Sequence, residues 1–501
     1  MQHKPDSETP FVTGEGLAAA QPDAAVSEQE ALATAAATQP AKLAYESSSR
    51  PYDQWRVGTL VYTSAGIAVL FFWLLFGDFA WNMRERSVTP MVQLFLKSLK
   101  ASDFTLAMLM TFLPPGINLI LSPIVSYKSD RLRSRWGRRI PFLLIPTPIA
   151  ALAMIGIAFS PHIGRWVVQV TGAQIPPERA TLMVFCVVWT IFEVAALMSG
   201  AVLIALINDV VPRGRLGRFH GLFRAVSLLD GMIFNYFLLK FAESHFTLMF
   251  SGVALVFGVG FTLMCFNVKE GEYPPPQVNP SDHRAGGFFE AVRIYFRECF
   301  SQPYYRWCFA ALTLGTVAFL PINTFSIPYA KQLNVDMDFY GKLIAASYMT
   351  SLVLAYWLGW LVDKFHALRM GMLALGLYAM AALWGIMNID SPRTFGVALV
   401  AHTVLSGTYF TTTASLAQQL LPRSKFAQFF SAGMIVTALT QMTLGPSIGL
   451  ILDRTKSNYR LTFVAAFVIS IMTICVMLVV YHKIKRYGGT RNYVAPGEEL
   501  R

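Results

Sequence analysis

The stretch SDRLRSRWGRRIPF, residues 129–142, separates two long apolar runs and carries a dense cluster of positive charge. The runs cover about residues 104–126 and 140–159, and each can cross a bilayer, which takes about 20 apolar residues. Short loops rich in Lys and Arg stay on the cytoplasmic side of a membrane. The stretch therefore predicts two neighbouring membrane helices joined by a cytoplasmic loop.

The whole chain has the composition of a protein that crosses a membrane many times. Of its 501 residues 54% are hydrophobic and 14% are charged, and the mean hydropathy is +0.47. A soluble domain has about 25% charged residues, so this composition excludes a soluble globular protein. The net charge of +12 lies on alternate loops between apolar runs. Such charge indicates orientation in a membrane and not a nucleic-acid partner.

Apolar runs predict about twelve spans in two sets of six. The first set covers about residues 67–96, 104–126, 140–159, 180–208, 220–242 and 245–267. The second set covers about residues 305–330, 340–362, 369–388, 394–420, 427–452 and 460–481.

Segments of different composition divide the chain around these two sets. Residues 57–268 and 305–486 are predicted to form two six-helix bundles, and residues 269–304 a cytoplasmic linker with an amphipathic helix. Residues 1–56, rich in Ala, Gln, Glu, Pro and Ser, predict a disordered cytoplasmic tail. Residues 487–501 predict a second cytoplasmic tail.

The two sets of spans are predicted to be copies of one another. LKSL at residues 96–99 recurs as AKQL at 330–333, SDR at 129–131 as VDK at 362–364, and PRGR at 212–215 as PRSK at 422–425. Internal repeats of this kind are typical of secondary transporters. The repeat register places residues 57–68 ahead of the first span, where we expect a cytoplasmic extension of its helix.

Charged side chains deep in the predicted spans need a functional reason, because each costs about 2.5–3.5 kcal/mol on insertion scales. Five of them lie in the first half: Asp78, Arg84, Glu85, Glu193 and Asp230. The second half offers neutral polar groups, among them Asn323, His402, Tyr409 and Gln441. This asymmetry predicts ion coupling in the first half and substrate hydrogen bonding in the second. His402 is either a hydrogen-bonded core histidine, the commoner case, or a proton relay.

Asp78, Trp81 and Glu85 are predicted to share one face of the first helix, since they stand at i, i+3 and i+7. Two carboxylates beside an aromatic ring suit a sugar, which can stack on the ring while its hydroxyls donate hydrogen bonds. Arg84 should point about 100° away from Glu85, so we expect its partner on another helix. A purely structural ion pair is the alternative for these charges.

The fourth and fifth spans offer partners for the first. Arg84 is expected to pair with Asp230 or Glu193. Trp189 precedes Glu193 by one helical turn, which gives a second carboxylate–aromatic pair, and Asn235 follows Asp230 on the fifth span. We assign these groups to substrate binding together with the neutral polar groups of the second half.

The loop at residues 129–142 resembles the cytoplasmic G-x-x-x-D-R-x-G-R-R signature of the major facilitator superfamily. Its fuller form, S-D-R-x-x-S-R-x-G-R-R-x-P-F, is most similar to the sucrose:proton symporters and to the wider glycoside–pentoside–hexuronide:cation symporter group. The resemblance implies an all-α membrane protein with the major-facilitator fold. In that fold twelve transmembrane helices form two six-helix bundles around a cavity lined mainly by helices 1, 4, 7 and 10.

The sequence departs from this family pattern at three places. Ser126 stands where the superfamily has Gly. Residues 104–126 hold no carboxylate of the kind that sodium-coupled melibiose permeases carry there. Residues 180–208 lack, within the span, the arginine of the sucrose symporters. A Na⁺ site of the melibiose kind and sucrose itself are therefore not expected from the motif alone.

The resemblance also implies a cytoplasmic gate, in which Asp130 pairs with arginines on the facing turn and in the neighbouring half. The predicted gate residues are Asp130, Arg131, Arg135, Gly137, Arg138, Arg139, Asp209 and Arg213, with a reduced second copy at Gly359, Asp363 and Lys364. Charge-assisted bonds of this kind can latch one face and break when it opens. The alternative is that the arginines only set the topology.

These features predict a proton-coupled symporter for a sugar or glycoside that works by alternating access. Asp78, Glu85, Asp230 and Arg84 are the predicted coupling groups, H⁺ is the expected coupling ion, and no metal or other cofactor is expected. We expect a monomer in the cell or inner membrane with both termini cytoplasmic. The alternatives are an exporter of amphipathic organic compounds and a non-transporting receptor or scaffold. No catalytic triad, phosphate loop or metal-ligand spacing indicates an enzyme.

Overall fold

The protein is almost entirely α-helical, as expected for a chain whose backbone must satisfy its own hydrogen bonds in lipid. The structure is a computed structural model that describes residues 56–172, 174–272, 288–489 and 493–496. The predicted disordered tail at residues 1–56 therefore lies outside the described residues, apart from Arg56. The predicted tail at residues 487–501 is described only in part.

The described residues of the first half form eight α-helices. They are α1 (Ser64–Ser98), α2 (Asp103–Ala107), α3 (Leu113–Arg131), α4 (Ile140–Leu144), α5 (Pro146–Thr171), α6 (Pro177–Val210), α7 (Arg213–Ile233) and α8 (Phe246–Asn267). A π-helical turn, Met108–Phe112, joins α2 to α3, and another, Phe234–Leu238, follows α7 and leads into a 3-10 turn at Leu239–Phe241.

The linker and the second half together contain nine α-helices in the described residues. They are α9 (Phe288–Phe300), α10 (Pro303–Val317), α11 (Leu320–Gln332), α12 (Met337–Phe365), α13 (Ala367–Asn388), α14 (Pro392–Thr412), α15 (Leu416–Leu420), α16 (Phe426–Arg454) and α17 (Arg460–Arg486). A 3-10 turn, Arg423–Lys425, precedes α16.

The expected helical extension over residues 57–68 is only partly correct. Residues 64–68 begin α1, but two short strands, β1 (Arg56–Val57) and β2 (Leu60–Val61), precede it. Gly58, with a φ of 56°, lies between them, a backbone conformation that glycine adopts without strain. The helix begins at Ser64, where the Thr63 side chain accepts a hydrogen bond from the backbone N–H of Gly66.

Eleven helical segments of the described chain are long and apolar enough to cross a membrane. The sequence predicts about twelve, and the tenth is the one that falls short. Its residues form α14, which is a regular helix but carries His402 and several threonines along its length. Hydropathy alone undervalues this helix because its polar groups bond within the protein: the Thr412 hydroxyl, for example, donates to backbone carbonyls.

Helices of the two halves meet mainly along two contacts, and α1 also packs against α11. In one, α16 packs against α2, α3 and the π-helical turn between them, and in the other α12 packs against α7. The second contact is close, because a Cβ at Gly231 of α7 would lie 2.5 Å from the Tyr348 ring of α12. Outside these contacts most helix packing stays within each half. The division into two independent bundles stays a prediction.

A polar cluster joins the halves at the end of the molecule opposite the arginine-rich loop, and we call it the distal cluster. It comprises Lys97, Asp103, Asp453, Ser457 and Tyr459. The Asp453 carboxylate accepts the backbone N–H groups of Asp103 at 2.8 Å and Phe104 at 3.0 Å. Ser457 and Tyr459 donate to the Asp103 carboxylate at 2.9 Å each. The distal end is therefore closed by bonds between the halves.

The linker helix α9 packs on α16 of the second half. The Tyr295 hydroxyl donates to the carbonyl of Gln428 at 3.1 Å, and Lys425 pairs with Glu298 at 2.9 Å. The Gln428 amide also donates to Glu298, and these two contacts hold the pKa of the Glu298 carboxyl below its usual value.

Candidate functional site

A cavity of about 470 Å³ lies inside the first half, between α1, α3, α6 and α7. Its volume falls in the range of small-molecule sites, about 300–1,000 Å³. Five predicted site residues line it: Trp81, Arg84, Glu85, Trp189 and Glu193. Aromatic and charged groups from two separate helices thus converge on one space, and we call it the first-half cavity.

Arg84 lies on an aromatic surface and pairs with its neighbour in sequence. Its guanidinium carbon is 4.2 Å from the ring centroid of Trp81, and its Nη2 donates to Glu85 at 2.7 Å. The hydrogen-bonded partner lies on α1 itself, because the long arginine side chain folds back along the helix. Glu193 of α6, one of the two expected partners, interacts with Arg84 electrostatically. Arg84 is 7% exposed and Glu85 is 58% exposed. The Glu85 carboxylate is therefore the accessible member of this pair.

Trp81 offers less surface for stacking than the sequence predicts. The guanidinium of Arg84 covers part of its ring, and the rings of Phe257 and Phe261 lie 6.1 and 5.5 Å from it between centroids. A Cβ at Gly200 of α6 would lie 3.2 Å from the indole. The indole is held in one orientation, with its free edge on the cavity.

Trp189 and Glu193 approach the same cavity from α6. The Trp189 indole N–H donates to the carbonyl of Leu109 at 3.2 Å, within the π-helical turn before α3. Such a turn changes the helical hydrogen-bond pattern and often lies at functional sites. Trp189 is almost fully buried, whereas Glu193, one turn further, is only partly buried. Glu193 is the α6 group available to a ligand.

Asp78 and Asp230 form a buried pair of acids away from this lining, and we call them the acid pair. Asp78 is 1% exposed and Asp230 is 0% exposed. The Asn82 amide donates to Asp78 Oδ1 at 2.5 Å. Asp78 Oδ2 and both Asp230 oxygens have no hydrogen-bond partner among the described residues. The two carboxyl groups lie close enough to interact electrostatically.

The predicted common face of Asp78, Trp81 and Glu85 is only partly correct. Trp81 and Glu85 line the first-half cavity, but Asp78 does not. At about 100° per residue, Asp78 lies between the face of Trp81 and the face of Asn82. Its bond to Asn82 turns it toward α7 and Asp230.

Arg86 was not among the predicted site residues, yet it lies beside the acid pair. Its Nη2 donates to the Ser227 hydroxyl at 2.9 Å, and its guanidinium carbon is 5.4 Å from the Tyr348 ring centroid. Its Nε has no hydrogen-bond partner in the described chain. The signal that could have found it is the spacing i, i+4, i+8 of Asp78, Asn82 and Arg86.

The predicted polar groups of the second half form a separate network. The His402 ring bonds Tyr378 through Nδ1 and the Asn323 side-chain oxygen through Nε2, both at 2.9 Å. That oxygen can only accept, so Nε2 carries a proton and the neutral ring accepts from Tyr378 at Nδ1. His402 is a satisfied core histidine in this structure. The Gln93 amide of α1 donates to the Asn323 carbonyl at 3.2 Å and ties this network to the first half.

Three further residues assigned to substrate binding lie outside the first-half cavity. The Asn235 amide donates to the carbonyl of Gly231 at 2.8 Å, and its backbone packs against Gly341 of α12. Tyr409 is buried beside Phe319, with 5.3 Å between ring centroids. Gln441 is half-buried on α16.

The arginine-rich loop is held by ion pairs within the first half. Arg139 pairs with Asp130 at 2.5 Å and with Asp209 at 3.1 Å, and Arg138 pairs with Asp209 at 2.8 Å. Asp209 ends α6, so these bonds brace the loop against that helix. The predicted bond of Asp130 to the facing turn is present as its ion pair with Arg139. The ion pairs of Asp130 and Asp209 given above stay within the first half.

Glu270, which follows α8, makes a further contact with this loop that the sequence did not indicate. Its carboxylate accepts the backbone N–H groups of Arg138, Arg139 and Ile140 at 2.7–3.0 Å, ahead of α4. Gly137 has a φ of 103°, and a Cβ there would lie 2.5 Å from the Glu270 carboxyl carbon. Glu270 follows α8, so its sequence distance from the loop hides the contact.

The other predicted gate residues make looser contacts. The Arg131 guanidinium lies 3.8 Å from the Tyr127 ring centroid, and the Arg135 guanidinium lies 4.8 Å from that of Trp136. The side chain of Arg213 lies outside the described residues. In the second copy Gly359, Asp363 and Lys364 are all exposed.

An all-α bundle of long apolar helices around an internal polar cavity defines a polytopic membrane protein of the transporter class. The family model described as MFS/sugar transport protein matches residues 73–424, and the chain belongs to this family. The crystal structure of a point mutant of the nucleoside transporter NupG has the same fold. It superposes with a TM-score of 0.60 at 12% identity and covers 82% of this chain and 100% of that one.

Curated relatives match shorter parts of the chain. A membrane-associated transporter protein of Homo sapiens is 28% identical over 227 residues, which is 42% of this chain and 41% of that protein. A sucrose transport protein of Oryza sativa subsp. japonica is 33% identical over 87 residues, 17% of this chain and 15% of that protein. The chain thus spans well under half the length of these relatives.

Proposed function

We propose that this protein is a secondary active transporter that couples movement of a sugar or glycoside to protons by alternating access. The observation that carries the proposal is the pair of sites on α1. Within two helical turns, α1 supplies Trp81 and Glu85 to the first-half cavity and Asp78 to the acid pair. A ligand and a proton can therefore act on one helix.

The cavity chemistry supports a polyhydroxylated substrate. Glu85 and Glu193 provide carboxylates that accept hydroxyl protons, and the Trp81 edge provides an apolar contact. Carboxylates in partly desolvated sites form hydrogen bonds about twice as strong as those between neutral groups. The family and the sucrose transport relative point the same way.

The acid pair supports the proton as coupling ion. Two adjacent carboxyl groups without bonded cations cannot both stay ionised in a buried site, because burial and mutual repulsion oppose the second charge. We propose that the arginine-rich loop and both termini lie in the cytoplasm, an orientation that the positive-inside pattern and the family resemblance support. In that orientation the distal cluster joins the halves at the outer face, which is expected of an inward-facing form of the cycle, and the proposed location is the cell or inner membrane.

Uptake into proteoliposomes tests the proposal. Purified protein should accumulate at least one compound from a panel of labelled mono- and disaccharides when an inward proton gradient is imposed, and an ionophore should abolish the accumulation. Empty liposomes are the control. If no sugar accumulates while the gradient drives movement of amphipathic organic cations, sugar uptake is excluded and export of amphipathic compounds becomes the favoured function.

A further inference from the structure

Arg86 bridges the two halves beside the acid pair. It bonds Ser227 on α7, one helical turn before Asp230, and lies over the Tyr348 ring of α12. Tyr348 also packs against Gly231 on the turn that carries Asp230. The position of the Arg86 guanidinium is thus part of the contact between α7 and α12.

Arg86 and Asp230 each keep hydrogen-bonding atoms without a partner in the described chain. Arg86 Nε and both oxygens of Asp230 have no hydrogen-bond partner among the described residues, although the two groups interact electrostatically. A buried carboxyl without donors is tolerated when it is neutral, whereas an ionised one demands a counter-charge. The arrangement fits a protonated Asp230.

The groups around Arg86 define where it can move. On α7 these are Ser227, Arg224 and Asp230, and on α12 the Tyr348 ring. Asp78, which interacts electrostatically with Asp230, lies two helical turns before Arg86 on α1. Arg224 interacts electrostatically with Arg86 and repels it. Asp230 lies one turn from Ser227, about 5 Å along the helix, which a rotation of the long arginine side chain covers.

We propose that Arg86 is a movable counter-ion that links the proton to the contact between the halves, an inference that rests on the proposed proton coupling. When Asp230 loses its proton, the guanidinium leaves Ser227 and Tyr348 and pairs with the acid pair. The α7–α12 contact loses its cation–π bond, and the distal end opens. When Asp230 regains its proton, Arg86 returns to Tyr348 and the distal end closes.

The test measures conformation without any sugar. Spin labels at Ser134→Cys and Lys364→Cys, in a chain with Cys186 and Cys475 replaced by Ala, report the distance between the halves at the arginine-rich end in nanodiscs. Raising the pH should shift the parent protein toward the shorter distance. Arg86→Met and Asp230→Asn should each lose this shift, and Asp230→Asn should keep the longer distance throughout.

Matched variants separate a change of charge from a loss of folding. Arg165→Met, an arginine exposed on α5, should keep the full shift. Arg86→Lys, which keeps the charge, should keep a shift with a displaced midpoint. A full pH response in Arg86→Met, or its loss in a monodisperse Arg86→Lys, overturns the proposal. Because this experiment does not measure sugar uptake, a normal pH-dependent distance change in a protein that transports no sugar would contradict only the sugar part of the proposed function.

Discussion

The guanidinium of Arg84 lies 4.2 Å from the centre of the Trp81 ring while it bonds Glu85. Arg84 therefore orients both neighbours: the indole is pinned by a cation–π contact, and the Glu85 carboxylate is held at the cavity wall. One buried cation faces the two carboxylates of Glu85 and Glu193 in this cavity. The lining thus holds more carboxyl groups than cations, which suits hydroxyl donors more than anionic ligands.

Substrate affinity should depend on the accessible carboxylates. Glu85→Gln and Glu193→Gln each replace a charged acceptor of hydroxyl protons by a neutral one. Hydrogen bonds to charged groups contribute about 1.5–3 kcal/mol and those between neutral groups about 0.5–1.5 kcal/mol. The exchange therefore loses about 1–1.5 kcal/mol, and we expect a roughly 5- to 12-fold weaker Kd by calorimetry. Glu290→Gln on α9, outside the cavity, is the matched control and should bind as the parent does. Unchanged binding in both cavity variants would remove the cavity from substrate recognition.

The distal cluster should hold the distal end closed. Asp453→Asn weakens the bonds to the backbone N–H groups that begin α2. Losing a helix cap costs about 0.5–2 kcal/mol, so the distal-open fraction should rise. Spin labels at Ser244→Cys and Asn458→Cys would report it as a longer distance. Asp390→Asn, a distal acid paired within the second half with Arg460, should leave the distance unchanged; an equal response there would make the effect nonspecific.

Glu270 should stabilise the arginine-rich loop. Glu270→Ala leaves three buried or half-buried N–H groups without their acceptor, and each such loss costs about 1–3 kcal/mol at most. We expect a lower Tm in detergent and faster proteolysis of the loop. Glu272→Ala, an exposed neighbour, should match the parent. A parental Tm and digestion pattern for Glu270→Ala would mean that the loop is held by Asp130 and Asp209 alone.

Orientation can be tested in intact cells after exposed Cys475 is replaced by Ala. An impermeant maleimide should label Ser244→Cys at the distal end and leave Ser134→Cys unlabelled until the cells are broken. Ser134 and Ser244 are both exposed in the structure, so access depends on the side of the membrane. The reverse labelling would invert the assignment of inward- and outward-facing ends.

Much of the fold follows from the sequence because lipid imposes one rule on every span. Apolar runs predicted about twelve spans, including the tenth, α14, although its polar residues lower its hydropathy. The repeat register placed the charges of α1 within its span. It did not reveal the strands at residues 56–61, because no apolar pattern marks them.

The site was predictable where residues one turn apart act together and unpredictable where contacts join distant segments. Trp189 and Glu193 converge with Trp81 and Glu85 as expected. Arg84 bonds its neighbour Glu85, although the two side chains leave the helix about 100° apart, because the long arginine side chain can fold back. Glu270, which follows α8, contacts a loop that is distant in the sequence. Arg86 contacts Ser227 and Tyr348 on other helices. The residue spacing within one helix cannot predict either kind of contact.

The proposed coupling of sugar movement to protons depends on the acid pair, and transport assays on variants of both acids test it. Asp78→Asn and Asp230→Asn should each abolish sugar accumulation driven by a pH gradient in proteoliposomes yet keep downhill exchange, because neutral amides cannot release a proton but leave the cavity intact. Glu178→Gln, an exposed acid at the start of α6, should accumulate sugar as the parent does. Full proton-driven accumulation in both acid-pair variants would contradict the account and return Asp78 and Asp230 to a structural role.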